Sequence, residues 1–379
     1  MKRARQQDRK GNIVVLTAFL MIIMVGLLAF SVDLGYVYVS KAQLQRSADA
    51  AALAAALELI DNDALSGNGT WDVSAESIRS KAEEYAGYNY VLAEDPELSN
   101  DDVTIGYIED PFDPDWQMQT SNINMLNAVT VRVRRHSDQN GDVPLFFAQF
   151  LGHDKMSIEA SATAALLVNI KGLGIPGDDT NQGILPFALD EETWNDMLAG
   201  GGEDEWTWDE TDKEIVAGSD GIREVNLYPQ GTGSPGNRGT VDIGSNNNST
   251  ADIARQITDG ASPADLAHHG GVIQLDENGE LFLNGDTGIS AGVKDELESI
   301  KGEPRIIPIF RTVVGPGNNA TYTIVGFAGI RILDVKLTGN MNSKRVTIQP
   351  ANVVMKGAVP ASDVAQTSYF VYSPVWLVK

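Results

Sequence analysis

Side chains that could carry out chemistry are few in this 379-residue chain, and their spacing does not favour a metal centre. The chain has four histidines, at positions 136, 153, 268 and 269. The adjacent pair, His268 and His269, lacks the HExxH pattern and has no third histidine nearby. There is no cysteine, which excludes a disulfide framework, a thiolate zinc site and a cysteine nucleophile. We therefore expect no metal ligands among these residues.

Loops rich in Asp, Asn and Gly are the next candidates for ion binding. DQNGD at 138–142 and LDENGELFLNGDTG at 275–288 have the composition of calcium loops. Neither follows the twelve-residue spacing that ends in a bidentate Glu, and Asn-Gly turns between strands account for both. GTGSPGNRGTVDIG at 231–244 is glycine-rich, but it lacks the Gly-Lys-Ser/Thr end of a phosphate loop. We interpret it as a flexible surface loop.

Motifs of an enzyme are also missing from the sequence. There is no GxSxG, and the 52 Asp and Glu residues are too abundant for any carboxylate pair to indicate a glycosidase. Trp194, Trp206, Trp208 and Trp376 could line a glycan-binding or partner-binding surface, although packing in a core or hairpin explains them more simply. The sequence predicts a non-enzymatic protein without a cofactor. A membrane-anchored enzyme or glycan-binding module remains an alternative of a different class.

The charge of the chain is strongly acidic and unevenly distributed. The formal net charge is -24, which argues against a nucleic-acid partner, because phosphate binding needs clustered Lys and Arg. Residues 1–10 are the exception, with five Lys or Arg side chains and one Asp. This contrast marks a boundary between the start of the chain and its body.

An uncharged segment follows the basic start. Residues 13–32, IVVLTAFLMIIMVGLLAFSV, would span about 30 Å as a helix, the thickness of the hydrocarbon core of a bilayer. Tyr36 and Tyr38 follow, as is typical where a helix leaves lipid. A cleaved signal peptide would have a shorter apolar region and a small-residue cleavage site. We expect an uncleaved, single-pass anchor in the cell membrane, with the N-terminus in the cytoplasm and the bulk outside it.

An alanine-rich helix is predicted directly after the span, over residues 33–62. Its small residues recur at helical spacing in LQRSADAAALAAALEL, residues 44–59. The candidate helix-packing face consists of Ala48, Ala51, Ala52, Ala55 and Ala56. Such a face lets another element approach closely, which leaves two interpretations open. It packs on the chain's own soluble domain, or, as we slightly favour, on a partner helix or a second copy of the chain.

These residues carry a family resemblance. Residues 9–59, RKGNIVVLTAFLMIIMVGLLAFSVDLGYVYVSKAQLQRSADAAALAAALEL, resemble the N-terminal segment of TadE/TadG-like proteins of tight-adherence (Flp) pilus assembly. A second similar segment, NAVTVRVRR followed by VPLFFAQFLGHDKMSIEASATAAL, extends the resemblance to roughly residue 170. The resemblance implies one membrane anchor and an extracytoplasmic body that acts in pilus biogenesis or surface adhesion. It also implies pilus-assembly proteins as partners and no enzymatic activity.

A processed pseudopilin is the main alternative within this class. Prepilin peptidases cut after a Gly that precedes an apolar helix, and Gly11 in RKGNIVVL offers such a position. Mature pilins usually carry Glu at the fifth position of the processed chain, where this sequence has Leu16. That departure puts processing in doubt.

The predicted fold class is α+β, in six segments. The transmembrane helix continues into the alanine-rich helix, a small α+β domain follows, and the C-terminal domain is mainly β. The predicted boundaries are 1–12 for the cytoplasmic segment, 13–32 for the span, 33–62 for the alanine-rich helix, 71–170 for the pilus-assembly-like domain, 171–183 for a linker and 184–379 for the β-rich extracytoplasmic domain.

Overall fold

The structure is a computed structural model, and it describes residues 10–60, 65, 74–121, 125–227, 238–244, 249–286, 291–315, 319–340, 343–361 and 365–378. Three features of the sequence lie outside the described residues. These are the basic segment 1–9, the residues 61–63 and 66–70 that we expect to end the alanine-rich helix, and most of the glycine-rich loop at 231–237.

The helices and strands follow in chain order. The helices are α1 (Lys10–Leu57), α2 (Ala75–Gly87), α3 (Glu191–Leu198), α4 (Thr250–Asp259), α5 (Pro263–Ala267) and α6 (Lys294–Ser299). The first six strands are β1 (Val103–Ile108), β2 (Met118–Gln119), β3 (Ala128–Arg135), β4 (Val143–Pro144), β5 (Lys155–Met156) and β6 (Ile158–Ala165). The next eight are β7 (Ile170–Gly174), β8 (Phe187–Asp190), β9 (Trp206–Asp209), β10 (Glu214–Ala217), β11 (Val225–Asn226), β12 (Arg238–Val241), β13 (Val272–Gln274) and β14 (Leu281–Asp286). The last eight are β15 (Pro304–Val314), β16 (Ala320–Lys336), β17 (Arg345–Pro350), β18 (Val353–Val354), β19 (Ala358–Pro360), β20 (Ser368–Tyr369), β21 (Val371–Tyr372) and β22 (Trp376–Val378).

Helix α1 is continuous over 48 residues, which corresponds to about 72 Å. No proline interrupts it, and its N-terminal half is apolar on all sides. From Ile13 to Val32 the side chains are almost all exposed, whereas those of the second half are largely buried in the protein. Among the described residues, α1 is the one helix long and apolar enough to cross a membrane. One helix therefore contains both the candidate span and a part of the protein core.

The second half of α1 packs on an antiparallel sheet with strand order β2-β1-β3-β6-β22. Strand β3, AVTVRVRR, alternates buried Val with half-exposed Arg, as the sequence pattern predicts. Helix α2 covers the neighbouring surface of α1, and Ser74 caps its N-terminus. The Ser47 hydroxyl donates to the Ala86 carbonyl of α2 at 3.1 Å, and the Gln45 side chain donates to the Ser161 carbonyl of β6 at 3.1 Å. The core of this unit lies between α1, α2 and the sheet.

The alanine face of α1 lies inside this core. Ala48, Ala51, Ala52, Ala55 and Ala56 have no exposed surface, and they pack with apolar residues of α2, β3 and β6. Their small side chains let the helix backbone approach these elements closely. The chain's own domain thus occupies the surface that we slightly favoured for a partner helix or a second copy.

The rest of the chain is mainly β, so the predicted fold class, α+β with a long N-terminal helix and a mostly β C-terminal part, is confirmed. Strand β15 pairs with both β8 and β16, while β16 pairs with β14, β14 with β12, and β12 with β8. These five strands therefore form a closed ring without a free edge. Tyr322 of β16 is fully buried in the core here, next to Gly239 and Gly285, where a Cβ would collide with its ring.

The last strand joins the C-terminal part to the first sheet. Strand β22 pairs with β6, so the end of the chain returns to the unit that contains α1. Strand β7 lies at the start of the segment 171–183, which we predicted as a linker, and it pairs with β13 and β19. Strand β16 is continuous over 17 residues, with a β-bulge beside Gly326 in its pairing with β15.

Replacing Ala52 by Leu should destabilise the protein, because no space remains for a larger side chain where α1 contacts the sheet and α2. Overpacking of this kind costs about 1–3 kcal/mol. Thermal unfolding of the full chain in detergent, followed by circular dichroism, measures the effect. Ala42→Leu is the matched control, because Ala42 is exposed on the same helix. An unchanged unfolding temperature for Ala52→Leu, together with reduced crosslinking between chains, would show that this face contacts a partner.

Candidate interaction surfaces

Within the described residues, those considered for metal chemistry lie apart from one another or in ordinary turns. Within the described part of the chain, no group of three or more His, Asp or Glu side chains is placed to hold a metal ion. In DQNGD, Asn140 and Gly141 both have positive φ, and the Asn140 side chain donates to the Arg134 carbonyl at 2.9 Å. In the second loop, Asp276 accepts hydrogen bonds from the backbone N–H groups of Asn278 and Glu280. Both loops are therefore turns held by their own side chains.

Each of the four tryptophans considered for a binding surface packs in the core, lies in a hairpin or stacks on another aromatic ring of the chain. Trp194 is fully buried and packs edge-to-face with Tyr369. Trp206 and Trp208 belong to the β9–β10 hairpin, and Trp376 stacks on the ring of Phe112 with centroids 4.8 Å apart. These positions account for the tryptophans by packing within the chain.

A cleft of about 670 Å³ lies beside the β9–β10 hairpin. Arg331 places its guanidinium 4.5 Å from the Trp208 ring and forms an ion pair with Glu210 at 3.2 Å. Gln349 also lines the cleft and is fully buried, and neither atom of its amide has a hydrogen-bond partner among the described residues. The cleft is lined by both apolar and charged side chains and could hold solvent or a small hydrogen-bonding molecule, but Glu210 already neutralises the Arg331 charge.

Glu224 fixes the same hairpin to the body. Its carboxylate is buried and accepts hydrogen bonds from the backbone N–H groups of Trp206 at 2.7 Å and Glu205 at 3.2 Å. Burial raises the pKa of Glu224 to about 7, and the negative charges of Asp204 and Asp220 act in the same direction. These contacts give the group a structural role in holding the hairpin.

The most unusual polar contact lies at the end of the apolar half of α1. Asp33 is the first charged residue after the 13–32 segment, and only 5% of it is exposed. Its carboxylate accepts hydrogen bonds from the backbone N–H groups of Phe146 at 2.8 Å, Phe147 at 3.0 Å and Ala148 at 2.7 Å. These groups lead into a short 3-10 helix, Ala148–Leu151, so the carboxylate lies at its N-terminal end.

The charge of Asp33 is stabilised by this arrangement. Burial acts to raise the pKa of the carboxyl, but the three backbone hydrogen bonds outweigh it, and the pKa lies below the ordinary value. The Tyr36 ring packs edge-to-face on Phe146, with centroids 5.0 Å apart. Asp33 and Tyr36 together attach the segment between β4 and β5 to α1, within one helical turn of the end of the apolar half.

Sequence reasoning identified the parts of this junction separately. The segment VPLFFAQFLG, residues 143–152, is apolar, and Asp33 is the first charged residue after the span. Sequence reasoning did not connect them, because more than a hundred residues separate Asp33 from Phe146. The available signal was a lone acidic residue directly after a long apolar run, in a position where an unpaired charge would be costly.

Asp33→Ala should release the 146–148 segment from α1, because three backbone N–H groups lose their common acceptor. We expect faster amide hydrogen exchange at residues 146–148 in the full chain in detergent, measured by mass spectrometry. Asp138→Ala is the control, since Asp138 is exposed in the neighbouring turn. Unchanged exchange at 146–148 in Asp33→Ala would contradict the role assigned to this carboxylate.

The matches to known families cover the unit that is built from α1, α2 and the first sheet. Residues 11–58 match the family described as "Putative Flp pilus-assembly TadE/G-like", and residues 41–164 match "Putative Tad-like Flp pilus-assembly". Together the two matches contain α2, β1 to β5 and nearly all of α1 and β6. No curated protein and no solved structure matches the chain. The resemblance found in the sequence is thereby confirmed: residues 11–164 are similar to the TadE/G-like proteins of Flp pilus assembly.

Proposed function

We propose that this chain is a non-enzymatic, single-pass membrane protein that acts in Flp pilus assembly or in pilus-dependent surface attachment. Residues 13–32 span the cell membrane, residues 1–12 lie in the cytoplasm, and the body lies outside. The observation that carries the proposal is the dual character of α1, whose first half is apolar and exposed and whose second half is buried in the domain.

The exposed half of α1 explains why a membrane is the expected surrounding. Ile13, Phe19, Ile22, Leu27 and Phe30 are each more than 60% exposed, and they lie on different sides of the helix. Exposing so much apolar surface to water would be unfavourable, whereas a bilayer covers every side of such a helix. The basic residues before Gly11 favour the cytoplasm for the N-terminus.

The buried half supports a role in positioning other proteins. A body that shares a helix with its anchor is held at a defined distance from the membrane and in a defined orientation. Such a body suits an assembly factor that presents a surface to pilus components. The acidic surface of the body keeps it soluble outside the cell and is unsuited to nucleic acid.

Attachment assays in cells that build Flp pili test this function. Loss of the chain should abolish pilus-dependent attachment, and the full chain should restore it. Ile23→Lys should fail to restore it, because a lysine at the centre of the span costs about 2.5–3.5 kcal/mol of insertion. Ile23→Leu is the matched control and should restore attachment fully.

The orientation of the chain in the membrane and the first residue of the mature chain are measured in the same cells. The chain has no cysteine, so Asp295→Cys introduces a single thiol at a side chain that is 94% exposed. It should react with an impermeant maleimide in intact spheroplasts. Mass spectrometry should recover peptides that precede Gly11, whereas a uniform N-terminus at Asn12 would establish the processed pseudopilin instead. Normal attachment in cells that lack the chain would contradict the proposed function.

A further inference from the structure

An exposed apolar patch lies on the segment that Asp33 holds against α1. Phe150 and Leu151 are each 82% exposed, and Phe146 and Phe147 are 47% and 42% exposed. Single exposed apolar residues are common on protein surfaces, but four within six residues form a contiguous patch. We call residues 145–151 the 145–151 loop.

The 145–151 loop is fixed at the level where the apolar half of α1 ends. Its backbone is bound to Asp33, one residue after the uncharged segment 13–32. On α1, Phe30, Val32 and Leu34 are more than half exposed at the same level. The apolar surface of the loop therefore lies beside the apolar surface of the helix that is to be covered by lipid.

The pairing of the sheet shows which end of the domain faces the membrane. Lys41 of α1 donates to the Glu159 carbonyl near the start of β6, and Gln45, farther from the span, donates to the Ser161 carbonyl. Strand β6 therefore leads away from the span towards Ala165, which pairs with Ala128 of β3. Residues near Ala165 therefore lie far from the span, and the connection from β3 to β6 that contains the loop lies near it. Exposed polar side chains lie within and directly after the apolar residues, at Gln149, His153 and Asp154.

We propose that the 145–151 loop inserts Phe150 and Leu151 into the boundary between headgroups and acyl chains, in the leaflet on the side of the body. The occupant of the patch is the phospholipid bilayer, because the patch is continuous with the exposed surface of the helix that crosses it. The inference depends on the proposed anchor at 13–32. A second contact of this kind restrains the tilt of the body, because helix and loop meet the membrane at two separate points.

Depth measurement by spin labelling tests the proposal in the full chain. Single cysteines replace Leu151, Ile22 and Glu109, and each carries a nitroxide in vesicles of phosphatidylcholine and phosphatidylglycerol. Ile22 is 71% exposed in the span, and Glu109 is exposed at the end of β1 far from it. Oxygen accumulates in lipid and a nickel chelate stays in water, so the ratio of the two collision rates reports depth.

The expected result is a higher accessibility to oxygen than to the nickel chelate at positions 22 and 151, with the reverse at position 109. Phe150→Cys should give the same reading as Leu151→Cys. If the label at position 22 is more accessible to oxygen but the labels at positions 150 and 151 are more accessible to the nickel chelate, the loop is not inserted and the anchor still stands. That result would point to a protein partner for the patch. A higher accessibility to the nickel chelate at position 22 would contradict the membrane anchor, and with it the insertion of the loop.

Discussion

The close packing of the α1 alanine face on β6, β3 and α2 is the contact on which the rest of this structure depends. Ala48, Ala52 and Ala55 carry too little side chain to hold α1 away from the sheet, so the helix lies directly in the core. Larger residues there would separate α1 from the domain and leave the strands with an uncovered apolar face. The helix that contains the candidate membrane span is thus also part of the protein core.

Two consequences follow from this shared helix. The junction between its halves must satisfy the first charge after the apolar segment, and Asp33 does so by accepting three backbone N–H groups from the 146–148 segment. The same bonds place the exposed Phe150 and Leu151 beside the end of the span. The C-terminal part then joins this unit through β22, and its closed ring of strands leaves no free edge in that ring for pairing with other chains.

Local signals in the sequence were sufficient for many elements. The uncharged run 13–32 and the alternation in β3 each depend on residues close together in the chain. Contacts between distant residues could not be predicted. The alanine spacing indicated close packing but not its partner, and neither the Asp33 contact nor the return of β22 to β6 leaves a periodic pattern.

The second half of α1 is fixed to the body and does not stand apart as a separate stalk. A distance measurement between two spin labels tests it directly, with cysteines replacing Arg46 on α1 and Asp101 before β1, both of which are exposed. Double electron–electron resonance on the full chain in membranes should give one narrow distance distribution, identical in detergent. A broad distribution, or one that changes between detergent and membrane, would contradict the account.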